Sequence, residues 1–469
     1  MDRTTARDWA YEEFGHAELG DRRRTSRLVR MLAAIAERPA GKVVEVFRSS
    51  AERQGAYDLL NNDAVRPDAL LASIQQATAM RSSEEPFVYV VVDGTSLRLT
   101  DRQLTKDFGA VGSTANAARG LKLVHSYAIS PRGVPTGIVD QQWWVRHPRK
   151  KRNDCQRRAL QDKETIHWVR SIEQATKALD GQRIWFQIDR EGDRYWTLKA
   201  LHDSGQWFTV RSTYGHRFVF TGTSRRQRRL HKVARTAPVR FVCAVAVHAK
   251  PGRQGRLAKL EVRAVPMTLD MIEPLTKEQQ AIAGHVVDIR EVGSVPKSEK
   301  PLHWRLLTNR PIATDDDVME VVVGYTRRWR IEELHRVWKS GACRVEESQL
   351  RSARRMTKWA ILMVVTAARI ERLRAFAKAD PMKSSSVELS KYELRALVLL
   401  KRKYAKKTEL IADDTPTIEQ AVRWLADLGG YTGKSSGGPP GAVTLRRGLE
   451  FIAPAAIALE LLERERKMR

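Results

Sequence analysis

A mixed α/β fold is predicted for this chain by three features of its sequence. Two short, largely apolar segments of strand-favouring residues, 87–92 and 184–188, each lead into an aspartate, Asp93 and Asp189. Between them lie two further strand-like segments around the turn Pro131-Arg132-Gly133, then a stretch with helical spacing. Helical periodicity dominates both ends of the chain.

Residues 1–70 read as a self-contained helical domain. Leu28, Met31, Leu32 and Ile35 recur at helical spacing among Arg22, Arg23, Arg24, Arg27 and Arg30, and Ala56, Leu59 and Leu60 repeat the pattern. Pro39-Ala40-Gly41 and Asn61-Asn62-Asp63 are the breaks. An arginine-studded helix suits a DNA groove; a solvated helix face is the plain alternative. The run 87–92 does not alternate, so it reads as a strand buried on both faces that ends at Asp93. Segments 121–129 and 134–144 are the next strands, and Ile166, Val169, Ile172 and Ala175 mark one face of a helix. A second buried strand, 184–188, ends at Asp189, and 207–211 is a further strand. Three strands, a helix and another strand, with acids at two strand ends, is the order of the ribonuclease-H-like fold, so 71–213 reads as the first part of such a core. A β-rich insertion at 214–300, with strands at 240–247 and 260–265, interrupts it. The core resumes over 301–370 with a strand at 304–308 and one helix running from an Asp315-Asp316-Asp317 cap to near Gly341. Residues 371–469 read as helical, with a loose Gly/Ser/Pro stretch at 433–441.

Composition bounds the partners. Hydrophobic residues make up 42% of 469, enough for a sizeable core and against wholesale disorder. No apolar run reaches the roughly 18–20 residues that span a bilayer; the longest, 359–368, reads as a buried helix. The N-terminus has no apolar core of a secretory signal. Cys155, Cys243 and Cys343 are scattered, with neither a disulfide frame nor zinc spacing, and suit a reducing cytosol. A soluble, intracellular protein is expected. Lys and Arg total 83 against 55 acids, a net charge of +28, which points to a polyanionic partner. A basic surface kept for solubility is the alternative, and clustering argues against it. Residues 146–158 hold seven Lys or Arg and one acid, 225–235 hold six and none, and Lys401-Arg402-Lys403 is followed by Lys406-Lys407. Charge does not separate DNA from RNA.

Asp93 and Asp189 fall where buried strands meet solvent, the position at which open α/β sheets build their sites. Each taken alone could merely end a strand. Hard cations take oxygen ligands, and two of them about 3.5–4 Å apart activate an attacking oxygen and stabilise a leaving one in phosphoryl transfer. The helix with Glu332 adds geometry. At about 100° per residue, Tyr325, Arg328, Glu332 and Lys339 share an arc of roughly 60°, with Arg336 beside it. Ile331, Leu334, Val337 and Trp338 lie opposite as a core stripe. An acid, cations and a phenol on one face make a phosphate-binding surface; a solvated charged face accounts for the cations but not for Tyr325.

The pattern Tyr325-(x)2-Arg328-(x)3-Glu332-(x)6-Lys339 resembles the Tyr-Arg-Glu-Lys signature of the insertion-sequence-four family of bacterial cut-and-paste transposases. Asp93-Gly-Thr-Ser-Leu97, Gln142-Trp-Trp144, Asp189-Arg-Glu-Gly-Asp193, Val210-Arg-Ser212, Leu19-Gly-Asp-Arg-Arg23 and Gln54-Gly-Ala-Tyr57 are similar to segments of that family. The resemblance covers most of the chain and weakens past about residue 375. It implies an Asp/Asp/Glu triad at Asp93, Asp189 and Glu332 holding two Mg²⁺ ions, with Mn²⁺ able to substitute. It implies nicking by water, hairpin formation by the freed 3′ hydroxyl, hairpin opening, and joining to target DNA. Partners implied are double-stranded DNA, as transposon ends and target, and a second copy of the chain in the DNA complex through 371–469, with no membrane; the location implied is the bacterial cytoplasm, at the nucleoid. Tyr325, Arg328 and Lys339, with Arg336 beside them, would hold terminal phosphates. Trp304 would stack on a flipped-out base, Arg190 and Arg211 would contact the DNA backbone, and Arg22, Arg27 and Arg30 would serve end recognition. The plain alternatives are a core tryptophan and surface salt bridges. A nuclease that cuts without joining and a catalytically inactive DNA-binding regulator are the competing functions.

Overall fold

A computed structural model of the chain describes residues 3–112, 118–146, 159–222, 226–247, 249, 254–273, 275–296, 298–405, 411, 415–433 and 438–468. The basic run 146–158 lies outside the described residues apart from Arg146, as do Arg225, Lys406, Lys407, Cys155 and residues 434–437 of the loose stretch.

Five helices come first: α1 (Ala6–Phe14), α2 (Arg22–Glu37), α3 (Val43–Val46), α4 (Ser50–Asn61) and α5 (Pro67–Ser82). Capping boxes on Thr5 and Ser49 start α1 and α4 by satisfying amides that have no partner within the helix. Leu28, Met31, Leu32 and Ile35 are buried along α2 as their spacing requires.

The sheet follows: β1 (Val88–Arg98), β2 (Gly109–Ala110), β3 (Arg119–Ile129), β4 (Pro135–Trp144), then α6 (Ile166–Ala178), β5 (Ile184–Ile188), α7 (Tyr195–Asp203) and β6 (Trp207–Arg211). Next are β7 (Phe218–Phe220), β8 (Arg228–Arg229), α8 (Leu230–Thr236), β9 (Val239–Val247), β10 (Arg256–Ile272), β11 (Gln279–Val292) and β12 (His303–Thr308). The strands form one sheet in the order β2-β3-β1-β5-β6-β12-β11-β10-β7-β8, with β4 also on β3 and β9 also on β10. The β1–β5 and β5–β6 pairs are parallel and the rest antiparallel. Strands of 214–300 are therefore hydrogen-bonded into the same sheet as those before them. The chain leaves after β6 and returns as its antiparallel neighbour β12, with the Ser212 amide 2.7 Å from the Arg305 carbonyl oxygen.

Six helices complete the chain: α9 (Asp315–Thr326), α10 (Trp329–Lys339), α11 (Ala353–Ala379), α12 (Lys391–Tyr404), α13 (Ile418–Leu428) and α14 (Ala442–Met468). Residues 359–368 are buried throughout within α11. Among the described residues no helix is long and apolar enough to cross a membrane.

Four expectations are corrected. The strand leading to Asp93 does not end there: β3 stays paired with β1 from Tyr89 to Arg98, so Asp93 lies mid-strand. The strand β11 was not foreseen, because Gly284, His285 and Asp288 dilute its apolar pattern, and Gly and Asp disfavour strands. The N-terminal helices are not self-contained. They share a core with α11, where Trp359 Nε1 donates to the Gly41 carbonyl at 2.8 Å and Lys358 Nζ to those of Leu60 and Asn62 at 2.9 and 2.8 Å. Short helices with one apolar stripe need a partner, and an all-apolar helix needs covering.

Finally, the single helix expected from Asp315 to Gly341 is two. The cap residue of α9 is Thr314, accepting from the Asp317 amide at 3.2 Å, while Asp317 of the aspartate run completes the capping box by accepting the Thr314 amide at 2.8 Å. Between α9 and α10 the backbone tightens, with the amides of Arg327, Arg328 and Ile331 bonded three residues back at 3.0, 3.1 and 3.2 Å. The cause lies in the buried stripes. Val318, Val321, Val322 and Tyr325 bury one face of α9; Ile331, Leu334, Val337 and Trp338 bury one face of α10. At about 100° per residue these stripes would lie roughly 180° apart on a straight helix. No unbroken helix turns both to the core.

Candidate active site

Register builds the site. Val92 of β1 pairs with Ile188 of β5 in parallel, so the next residues, Asp93 and Asp189, stand side by side. Strand β5 ends here. Asp189 caps the short turn Arg190–Gly192 by accepting the Arg190 amide. Glu332 arrives from the first turn of α10. Arg328, only 8% exposed, joins the two sources: Nη2 is 2.7 Å from Glu332 Oε1 and Nη1 is 3.9 Å from Asp189 Oδ2. Its guanidinium also lies 5.9 Å from the Tyr325 ring centroid, and Tyr325 packs 6.2 Å from Trp304.

The electrostatic effect of this arrangement falls on Asp93. Burial pushes the Asp93 carboxyl up to about 7; Arg328 opposes this, while Asp189, Glu191 and Glu332 add to it. Burial likewise lifts the Tyr325 hydroxyl to about 12. Lys339 is lowered by burial against the pull of Glu346 and Asp93, and its ammonium donates to Thr95 Oγ1 two residues beyond Asp93. Gly94 leaves room for a ring: a Cβ there would lie 2.6 Å from Trp168.

The structure thus gathers Asp93, Asp189, Glu332, Arg328, Tyr325, Lys339 and Trp304, all expected from sequence. Arg211, at the end of β6, donates to the His303 carbonyl at 3.1 Å and acts electrostatically on Tyr325. Arg190 and Arg336 are exposed, with no ion pair among the described residues. Tyr325 and Arg328 differ from expectation in being buried under the site rather than lining an open face. Glu191, His125 and His335 were missed; His335, one turn past Glu332 on its core side, was the one with a positional signal.

Residues 6–65 match the family model described as transposase DNA-binding. The match runs over the N-terminal helices and supports a transposase that binds DNA. On α2, Arg22 and Arg30 are exposed, and Arg27 lies across Gly55 of α4, where a Cβ would meet its guanidinium at 2.3 Å. Arg30 is lowered by burial and by the like charges of Arg27 and Arg7. None of Arg7, Arg22, Arg27 and Arg30 has an acidic partner among the described residues, so their charge is free for an anion.

Among the described residues no group of three His, Cys, Asp or Glu side chains is gathered tightly enough to hold a metal as it stands. Arg328 takes the place of a cation between Asp189 and Glu332. The donor set nevertheless suits a hard dication by its chemistry: three carboxylates, oxygen only.

Proposed function

We propose that this chain is a cut-and-paste DNA transposase that binds transposon ends, cleaves them by hydrolysis and hairpin formation, and joins the 3′ ends to target DNA. The observation that carries the reading is the β1–β5 register, which sets Asp93 beside Asp189 with Glu332 linked through Arg328, in a chain whose residues 6–65 match transposase DNA-binding. The order β4-β3-β1-β5-β6, antiparallel in its first two pairs and parallel in the next two, supports a ribonuclease-H-like core with 214–300 as an insertion. The resemblance to the insertion-sequence-four family points the same way.

In this reading Asp93, Asp189 and Glu332 hold Mg²⁺ or Mn²⁺. Bound there, two such ions supply activation of the attacking oxygen and stabilisation of the leaving one. Arg328 exchanges its carboxylate partners for a substrate phosphate, and Lys339 and Tyr325 hold the reacting strand beside it. Trp304 offers a ring to a displaced base, Arg190, Arg211 and Arg336 follow the backbone, and Arg22, Arg27 and Arg30 meet the end sequence. Each step is an in-line phosphodiester substitution, so one site serves nicking, hairpin formation and joining. The exposed Phe451, Ile457, Leu461 and Leu462 of α14 suit contact with a second copy on DNA, whereas Leu459 packs inward.

The test incubates the protein and Mg²⁺ with labelled transposon-end DNA and a target plasmid. Joined products are expected. Cut ends without joining indicate a nuclease, and bound but intact DNA indicates an inactive regulator.

A further inference from the structure

Two buried imidazoles meet beside the candidate metal ligands. His125 of β3 is the register partner of Asp93, and Gln141 of β4 is the register partner of His125. Directly paired residues share a face of the sheet, so Gln141, His125 and Asp93 form a row, extended by Asp189 on β5. Helix α10 meets this row with His335, one turn beyond Glu332. His125 Nδ1 and His335 Nε2 are 3.0 Å apart, and the rings are stacked with centroids 5.2 Å apart. Trp338 closes the box, 5.3 Å from the His125 ring and 6.1 Å from Trp143. Gln141, His125, His335 and Trp338 are all buried.

The hydrogen bonds admit one direction. An indole N–H only donates, so the Gln141 atom 3.3 Å from Trp143 Nε1 is its carbonyl oxygen. The Gln141 amide nitrogen therefore faces His125 Nε2 and donates to it. That leaves the His125 proton on Nδ1, donating to His335 Nε2. A buried polar row costs desolvation that hydrocarbon would avoid; what it provides is a single geometry.

We propose that the relay Trp143–Gln141–His125–His335 is the device that positions α10, and with it Glu332, against Asp93 and Asp189. Trp338 Nε1 ties α10 to the Ala360 carbonyl at 3.1 Å and Lys339 ties its last turn to Thr95; the bond between neutral rings adds a directional link to the sheet within one turn of Glu332, without adding charge beside the acids. The inference rests on the reading of those acids as metal ligands.

Metal binding tests it without catalysis. Mn²⁺ affinity of the full-length protein is measured by electron paramagnetic resonance without DNA, alongside thermal melting and Mg²⁺-dependent nicking of end DNA. His335→Leu removes the acceptor; His335→Gln restores an amide oxygen near the position of Nε2. His335→Leu is expected to weaken Mn²⁺ binding about tenfold or more, and His335→Gln to recover most of the loss. Nicking should slow in parallel while end binding holds. A folded His335→Leu protein with wild-type Mn²⁺ affinity, whatever its melting temperature, overturns the relay and leaves the site reading standing. Wild-type protein that binds no Mn²⁺ overturns both. Should His335→Leu not fold, Gln141→Met decides, since it breaks the first link and leaves both rings: unchanged Mn²⁺ affinity there also overturns the relay.

Discussion

Asp93→Asn should stabilise the metal-free protein at alkaline pH. In the unfolded chain the carboxyl ionises near its ordinary value of 3.8, whereas in the fold it holds its proton to about 7. Between those values the folded state binds more protons, so this group makes stability fall as pH rises through the window and level off above it. At about 1.4 kcal/mol per pKa unit, ionised Asp93 costs the fold about 4 kcal/mol. Solvent reaching the half-buried carboxylate reduces that to about 2–3 kcal/mol. An unfolding entropy of about 2.1 cal/mol/K per residue amounts to about 1 kcal/mol/K for this chain. The substitution should therefore raise Tm by about 2–3 °C at pH 8 and by nothing near pH 3.5. Calorimetry in EDTA across that range, on both proteins in parallel, reads the difference; Glu37, lifted to about 7, and Asp140, lifted to about 6, titrate in both and cancel. Added Mg²⁺ should raise the wild-type Tm at pH 8 more than that of the variant. A variant no more stable than wild type at pH 8, or equally stabilised at pH 3.5, refutes the reasoning.

Asp189→Ala and Glu332→Ala should each abolish cleavage while leaving gel-shift affinity for end DNA near wild type; substantial product from either purified variant removes that residue from the triad. The double change Arg22→Ala with Arg30→Ala should make the log–log salt dependence of end binding shallower by about 1.8, two phosphate contacts at about 0.9 each. An unchanged slope places the binding surface elsewhere. Gly41→Ala should lower stability by about 1–3 kcal/mol, because its Cβ would lie 2.0 Å from the Arg344 carbonyl oxygen on an unyielding backbone. Calorimetry that finds the two proteins melting together contradicts that clash.

The acids were legible because strands buried on both faces leave largely apolar runs, and 87–92 and 184–188, polar only at Gln187, are followed at once by Asp93 and Asp189. Register was not legible: nothing local states that Val92 pairs with Ile188, nor that β3 carries β1 five residues past Asp93. The helical wheel grouped Tyr325 and Arg328 with Glu332, which the fold also brings near one another, but assumed one straight helix, and with it an exposed Tyr325. The break that buries Tyr325 and Arg328 follows from two stripes out of phase, a conflict present in the sequence between Tyr325 and Ile331. His125 and His335 stand 210 positions apart, and only the folded sheet and helix bring their rings together. Strand β11 was hidden by Asp288, tolerated in a strand because His303, Arg305 and Arg290 all reach it.

The excursion between β6 and β12 begins and ends at one doorway, where Ser212 meets Arg305 on adjacent antiparallel strands. One side of that doorway, β12, is also paired with β11 of the excursion itself. This arm reaches back to the site at its root, where Thr213 Oγ1 donates to the Arg190 carbonyl at 3.0 Å and Arg217 pairs with Asp193 at 2.7 Å, so its first residues brace the turn that follows Asp189. A change in the far part of the arm and a change at its root are therefore different perturbations: only the second touches the residues that hold the turn after Asp189.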